Sequence, residues 1–195
     1  AENGMRISLD LRKELAAEGK RSIFNILGPL INPAMPAYQL LGVFHPDWVG
    51  SLARALHELG LKRGLAVCCE LTGGGYMDEL TTAGRNQIAG FGGLAGTAAS
   101  WEAIDAGFTP VDSASLQGGT AGENLILLED ILSGKGRPGL VDSLCLNAAA
   151  AFQITERVDT PSEGCALARE ILLGGALRDW LTRARAFYRD NGAVE

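Results

Sequence analysis

The sequence lacks an apolar run long enough to cross a membrane. Its longest runs, such as residues 144 to 152, are interrupted by Asn147 and fall well short of the roughly 20 residues that a spanning helix needs. The N-terminus also lacks the charged and then apolar pattern of a signal peptide. We therefore expect a cytoplasmic protein.

Positive charge is scarce as well. The chain has 17 Lys and Arg against 23 Asp and Glu, which gives a formal net charge of -6 and a pI near 5.0. This balance, without a basic cluster, argues against a protein that grips nucleic acid through its phosphates. A phosphorylated small molecule would have to be met locally, by a metal ion or by backbone amides.

Cysteine and histidine are too few and too poorly spaced to form a metal-ligating cluster. The four cysteines include no Cys-x-x-Cys, and neither His45 nor His57 is spaced to join them. We expect reduced, mostly buried thiols, and we expect His57 to serve in packing or to lie on the surface.

What the sequence does contain is the composition of one globular domain covering residues 1-195, with 47% hydrophobic and 21% charged residues. Residues 38 to 44 and 65 to 69 are apolar runs of strand length, and a helical pattern from Pro46 to Gly60 separates them. A strand, a helix and a strand in this order form a parallel βαβ unit. The pattern predicts an α/β fold with a largely parallel sheet flanked by helices.

The loop after the second of these strands carries three glycines, at 73 to 75, followed by the adjacent carboxylates Asp78 and Glu79. Ligands of open parallel sheets collect beyond the carboxyl ends of the strands. Mg²⁺ commonly takes only one or two protein carboxylates and keeps waters and substrate phosphates. The alternative is a solvated acidic turn, and the spacing by itself favours that interpretation.

The second half of the chain is predicted to be mainly helical. Capping-box patterns at Thr120 and Thr160 open two helices, another covers residues 140 to 154, and the last helical region is interrupted at Gly174-Gly175. Residues 86 to 91 and 109 to 111 are predicted as short strands.

Near the N-terminus, residues 20 to 33 read Lys-Arg-Ser-Ile-Phe-Asn-Ile-Leu-Gly-Pro-Leu-Ile-Asn-Pro. The apolar residues fit a helix that Gly28-Pro29 breaks, and Asn32-Pro33 makes a second stop. The elbow is either a wall for a flat ligand or a turn that caps a core helix. The string closely resembles the Arg-Thr-Ile-Phe-Asn-x-Leu-Gly-Pro-Leu-x-Asn-Pro motif of the anthranilate phosphoribosyltransferase family.

That resemblance implies transfer of phosphoribose from phosphoribosyl pyrophosphate to anthranilate, with release of pyrophosphate, in tryptophan biosynthesis. It implies that Asp78 and Glu79, which match the end of the family's Asp-Gly-x-Asp-Glu loop, bind Mg²⁺. It also implies that Arg12 contacts the anthranilate carboxylate and that Pro29 lines the acceptor site, with Arg21 as the alternative to Arg12. No general base is identified in the chain.

The resemblance covers only the C-terminal portion of the family pattern. The family's N-terminal helical domain, its Gly-Thr-Gly-Gly-Asp loop and its Lys-His-Gly-Asn element are absent from this sequence. We therefore expect a partial large domain that is incomplete by itself, and a homodimer when full length. Cys69-Glu70 replaces the family's usual His-Gly, so a related transferase or phosphorylase for another ring, or a non-catalytic ligand-binding paralogue, stays open.

Overall fold

A computed structural model describes Gly28 and residues 30 to 192 of the chain. The chain divides into two units, Ala1–Ala37 and Tyr38–Glu195. The prediction of a single domain over residues 1-195 stays a prediction.

In the first unit, the described residues end in a turn. Gly28 and Leu30 are both helical, whereas Pro29 lies outside the described residues, so the break predicted at Gly28-Pro29 stays a prediction. The predicted stop at Asn32 is confirmed: its side chain accepts a hydrogen bond from the Ala34 backbone N–H (3.0 Å), and its carbonyl accepts one from the Met35 backbone N–H (3.0 Å).

The described part of the second unit is built on a mixed sheet of five strands. Four of them lie side by side in the order β1, β2, β4, β5, and the two-residue strand β3 pairs with β2. The strands are β1 (Tyr38–Gly42), β2 (Arg63–Leu71), β3 (Tyr76–Met77), β4 (Gly84–Gly92) and β5 (Ala98–Glu102).

The α/β class is confirmed, but the expectation of a largely parallel sheet is wrong. β1 and β2 are parallel, as the βαβ pattern predicted, whereas β2 pairs antiparallel with both β3 and β4, and β4 pairs antiparallel with β5. The reason is what lies between β2 and β4. A parallel return usually crosses over through a helix, whereas residues 72 to 83 contain β3 and its turns but no helix.

Five α-helices lie in the described part of this unit, and their starts follow the sequence signals. Thr120 and Thr160 each form a capping box with a glutamate three residues on, as predicted. His45 caps α1 through Nδ1, which accepts from the Asp47 backbone N–H (3.3 Å). The helices are α1 (Pro46–Glu58), α2 (Ala121–Leu132), α3 (Pro138–Ile154), α4 (Pro161–Leu173) and α5 (Ala176–Asp190).

One buried apolar cluster lies between the sheet and α3. β2 supplies Leu65 and Val67, and α3 supplies Leu146, Ala150 and Ile154. These apolar side chains hold α3 across the sheet, which places polar residues of α3 beside the loop that follows β3.

Two strand predictions had different outcomes. The strand over residues 86 to 91 is confirmed as part of β4, whereas residues 109 to 111 are not a strand. The fifth strand instead covers Ala98–Glu102, where the Gly-rich turn after β4 sends the chain back along its neighbour. Within the described residues, no helix is long and apolar enough to span a membrane.

Candidate metal-binding site

The candidate site lies at one edge of β2, where the pairing of β2 with β1 ends and its pairing with β3 begins. β4 pairs with β2 along its whole length, so β1 and β3 share the opposite edge of β2. β1 ends with Gly42 opposite Val67, and β3 pairs with Cys69 and Glu70 immediately beyond. This arrangement brings residue 78, directly after β3, to the carboxyl end of β1.

A tight turn aims β3 back along β2. The Leu71 backbone N–H donates to the Gly75 carbonyl (3.0 Å), and the Gly74 N–H donates to the Leu71 carbonyl (2.9 Å). Gly74 and Gly75 have φ of 92° and 86°, a left-handed region that favours glycine. The glycines therefore serve the turn from β2 to β3. The Tyr76 ring contacts the His45 ring with centroids 4.6 Å apart.

Asp78 and Glu79 follow β3 on the surface, and both residues are exposed. The backbone of Asp78 lies against Gly42, so closely that a Cβ on Gly42 would overlap the Asp78 carbonyl oxygen. The predicted acidic pair thus lies at the carboxyl end of β1, the strand that pairs parallel with β2. This is the edge where α/β folds bind ligands.

The residue after the pair, Leu80, is anchored by a side chain of α3. The Leu80 backbone N–H donates to Asn147 Oδ1 (3.1 Å), and Asn147 Nδ2 donates to the Leu80 carbonyl (2.7 Å). Asn147 Nδ2 also donates to the Ser143 carbonyl (2.9 Å), one turn earlier in α3. The amide therefore meets both backbone polar groups of Leu80, as a neighbouring strand would.

The next residues are held in the same way. The Thr81 backbone N–H donates to Asn86 Oδ1 (2.9 Å), and Asn86 Nδ2 donates to the Thr81 carbonyl (2.8 Å). The Thr82 backbone N–H donates to Ser143 Oγ (3.3 Å). Thr81, Thr82 and Asn86 are fully buried, so these bonds satisfy backbone groups that have no water.

The electrostatics of the site reflect closely spaced negative charge. Partial loss of water around its carboxyl raises the pKa of Glu79, and the adjacent Asp78 carboxylate raises it further. Burial raises the pKa of Cys68 to about 11, with Asp78 and Glu70 adding to it. Burial likewise raises the pKa of Cys69 to about 12. A cation near the two carboxylates would relieve this repulsion.

The donor set fits a hard cation that keeps most of its own ligands. Within the described residues, no group of three or more His, Cys, Asp or Glu side chains could form a complete metal cage. Two carboxylates from Asp78 and Glu79 remain, which is the number that Mg²⁺ commonly takes from a protein when substrate phosphates and waters fill the other positions. The residues present therefore fit Mg²⁺.

A cavity of about 440 Å³ lies beneath the site, between the sheet and α3. Its lining is mainly apolar and includes Leu80, Trp101, Phe108 and Leu146, but neither Asp78 nor Glu79. Leu80 thus points its side chain into the apolar layer while its backbone continues from the acidic pair.

The structure places two of the four predicted site residues. Asp78 and Glu79 are side by side, whereas Arg12, its alternative Arg21, and Pro29 lie outside the described residues. Asn147 and Asn86 were not predicted as parts of the site. A signal was available for Asn147, because this polar residue interrupts an apolar pattern in α3. Asn86 stands between Arg85 and Gln87, so the sequence gives no such signal there.

Comparison with known proteins shows the family to which the chain belongs. The family model described as the glycosyl transferase family, a/b domain, matches residues 1–177, and the chain belongs to that family. Its relatives carry a more particular name. The chain is 36% identical over 181 residues to the anthranilate phosphoribosyltransferase of Tolumonas auensis, covering 93% of this chain and 52% of the relative.

Solved structures agree with the fold. The anthranilate phosphoribosyltransferase of Thermus thermophilus matches with a TM-score of 0.78 and 37% identity, over 95% of this chain and 52% of that one. The Saccharomyces cerevisiae anthranilate phosphoribosyltransferase, in complex with PRPP and Mg, matches with a TM-score of 0.68. It is 24% identical over 90% of this chain and 49% of its own, which shows the shared fold. The chain spans about half the length of these relatives.

Proposed function

We propose that the chain carries the metal-binding part of an anthranilate phosphoribosyltransferase. The reaction transfers phosphoribose from phosphoribosyl pyrophosphate to the amine of anthranilate and releases pyrophosphate, in tryptophan biosynthesis. The observation that carries this proposal is the position of Asp78 and Glu79, exposed together at the carboxyl end of β1, in a chain 36 to 37% identical to enzymes of that name.

Each carboxylate has a role that its geometry supports. Asp78, whose backbone lies against Gly42, and Glu79, whose pKa is raised by partial burial and then by its neighbour, would hold Mg²⁺ through oxygen ligands. When bound, Mg²⁺ neutralises charge on a pyrophosphate leaving group. The exposure of the pair leaves room for a phosphorylated substrate on the solvent side.

The proposed binding of the acceptor, anthranilate, involves residues of the N-terminal segment. Arg12, or Arg21 in its place, would hold the anthranilate carboxylate through the planar guanidinium, and Pro29 would line the ring. A homodimer and a cytoplasmic location belong to the same proposal. The family resemblance supports them.

Binding of phosphoribosyl pyrophosphate tests the function. We expect calorimetric titration of the purified protein to show binding in Mg²⁺ that disappears in EDTA. In an Asp78→Ala/Glu79→Ala protein the Mg²⁺-dependent binding should collapse while the thermal unfolding transition survives, because the metal loses both protein ligands. Glu129→Ala/Asp130→Ala, which removes an adjacent acidic pair from α2, is the matched control and should bind as the unaltered protein does.

The outcomes separate the alternatives. Equal binding by the Asp78→Ala/Glu79→Ala protein contradicts the metal role of the pair. Mg²⁺-dependent binding without a response to anthranilate, but with a response to a nucleobase or another aromatic amine, favours the related transferase or phosphorylase. A protein that binds no phosphoribosyl pyrophosphate under any of these conditions contradicts the proposed function of this chain.

A further inference from the structure

The side chains of the acidic pair, Asp78 and Glu79, are both exposed. What is fixed is the backbone on either side. Before the pair, β3 is hydrogen-bonded to β2 at Cys69 and Glu70. After the pair, Leu80 is 4% exposed and its backbone is held by a side chain from a different layer of the fold.

We propose that Asn147 is a positioning residue for the metal-binding pair, acting through Leu80. Its amide makes paired hydrogen bonds to the Leu80 N–H (3.1 Å) and carbonyl (2.7 Å), across 67 residues of sequence. These bonds fix the peptide group that follows Glu79. The direction in which the two carboxylates leave the backbone is thereby set by α3.

The amide itself is held in one orientation. Nδ2 also donates to the Ser143 carbonyl (2.9 Å), so the nitrogen faces the two carbonyls and the oxygen faces the Leu80 N–H. Leu146, the neighbour of Asn147 in α3, belongs to the same buried cluster as Leu80. Apolar packing and the paired bonds therefore fix the same point of the loop.

This inference rests on the proposed function, because it concerns the same carboxylates. Groups that orient metal ligands through hydrogen bonds commonly change metal affinity about 10- to 100-fold when they are removed. A merely structural amide would lower stability without a selective effect on the metal.

The chain offers a matched control in Asn124. Its Oδ1 accepts from the Gly119 backbone N–H (2.8 Å) and its Nδ2 donates to the Gly119 carbonyl (3.1 Å), the same paired geometry. This pair lies at the start of α2, whereas Asp78 and Glu79 follow β3. Asn147→Leu and Asn124→Leu therefore remove the same kind of interaction at two different places.

The experiment has two readouts on the purified protein. Hydrogen exchange followed by mass spectrometry reports on the backbone of residues 78 to 83, and electron paramagnetic resonance reports on binding of Mn²⁺, which accepts the same oxygen ligands. For Asn147→Leu we expect roughly tenfold faster exchange in this segment and about tenfold weaker Mn²⁺ binding. Asn124→Leu should change neither. If Asn147→Leu does not fold, Asn147→Ser, whose hydroxyl cannot span both Leu80 groups, takes its place.

Unchanged exchange in a folded Asn147 variant overturns the proposal, and so does faster exchange with Mn²⁺ affinity equal to that of the unaltered protein. If the unaltered protein binds no Mn²⁺, the metal role in the proposed function fails. The exchange measurement then still decides whether Asn147 holds this loop.

Discussion

At the scale of single residues, a side-chain amide makes the paired backbone hydrogen bonds that a neighbouring strand would otherwise make. An Asn side-chain amide places an N–H donor beside a carbonyl acceptor, so it can satisfy both polar groups of one backbone residue. Asn147 does this for Leu80, and Asn86 does it for Thr81. After the exposed carboxylates the chain enters the core, and these bonds satisfy the backbone N–H and carbonyl groups of Leu80 and Thr81 there.

The raised pKa of Glu79 predicts how pH affects stability. Its ordinary value is 4.5, and in the folded protein it is higher, so the folded state binds this proton more tightly than the unfolded state does. Ionised Glu79 therefore costs stability above its folded pKa, and the cost is absent below pH 4.5. In metal-free buffer we expect Glu79→Gln to have a higher Tm than the unaltered protein at pH 7, and the difference to vanish toward pH 4.

The control for this measurement is Glu123, whose pKa shifts in the opposite direction. Hydrogen bonds from the Thr120 side chain and backbone lower the pKa of Glu123, so ionised Glu123 contributes stability at pH 7 that is lost as the pH falls below 4.5. Glu123→Gln should lower Tm at pH 7 and approach the unaltered protein in acid. A Glu79→Gln protein that is less stable than the unaltered protein at pH 7, with Mg²⁺ removed, contradicts the stated repulsion.

At the scale of elements, the site depends on two short strands that share one edge of β2. β1 is parallel to β2 and ends at Gly42, and β3 returns antiparallel just beyond it. The two can meet only if the residue at their junction has no side chain, because the Asp78 carbonyl occupies the space where a Cβ would be. The close approach therefore fixes the Asp78 backbone against the end of β1.

A methyl group at this junction should disturb the site. We expect Gly42→Ala to lower the free energy of unfolding by about 1 to 3 kcal/mol, the usual cost of overpacking, and to weaken Mn²⁺ binding by displacing Asp78. Gly50→Ala is the control: Gly50 lies within α1 with nothing near its added Cβ, and alanine there should raise stability by roughly 0.5 to 1 kcal/mol. Denaturant unfolding measures both, and an unaffected Gly42→Ala protein would show that the junction tolerates a side chain.

At the scale of the whole molecule, the cysteines are shielded from solvent in the folded protein. Three of the four cysteines, Cys68, Cys69 and Cys145, are buried, and Cys165 is partly buried, all as free thiols. This agrees with the expectation of reduced, mostly buried cysteine. Because burial raises the pKa of each of these thiols, the reactive thiolate is suppressed in the folded state.

Thiol reactivity should therefore report on global folding. With a disulfide reagent at pH 8 we expect the native protein to react slowly, and the protein in denaturant to react quickly at all four thiols. A reducing agent should leave Tm unchanged, since the described cysteines form no disulfide. Rapid native reaction at Cys68 or Cys69 would contradict the burial of β2.

The sequence determined what depends on local pattern. Helix starts at Thr120 and Thr160, the parallel unit of β1 and β2, and the candidate pair Asp78 and Glu79 all follow from residues close together in the chain. Tertiary structure decided the rest. The antiparallel return of β4, the approach of Asp78 to Gly42, and the hold of Asn147 on Leu80 join groups up to 67 residues apart. No periodicity encodes which distant amide meets which backbone group, because that depends on how α3 packs on the sheet.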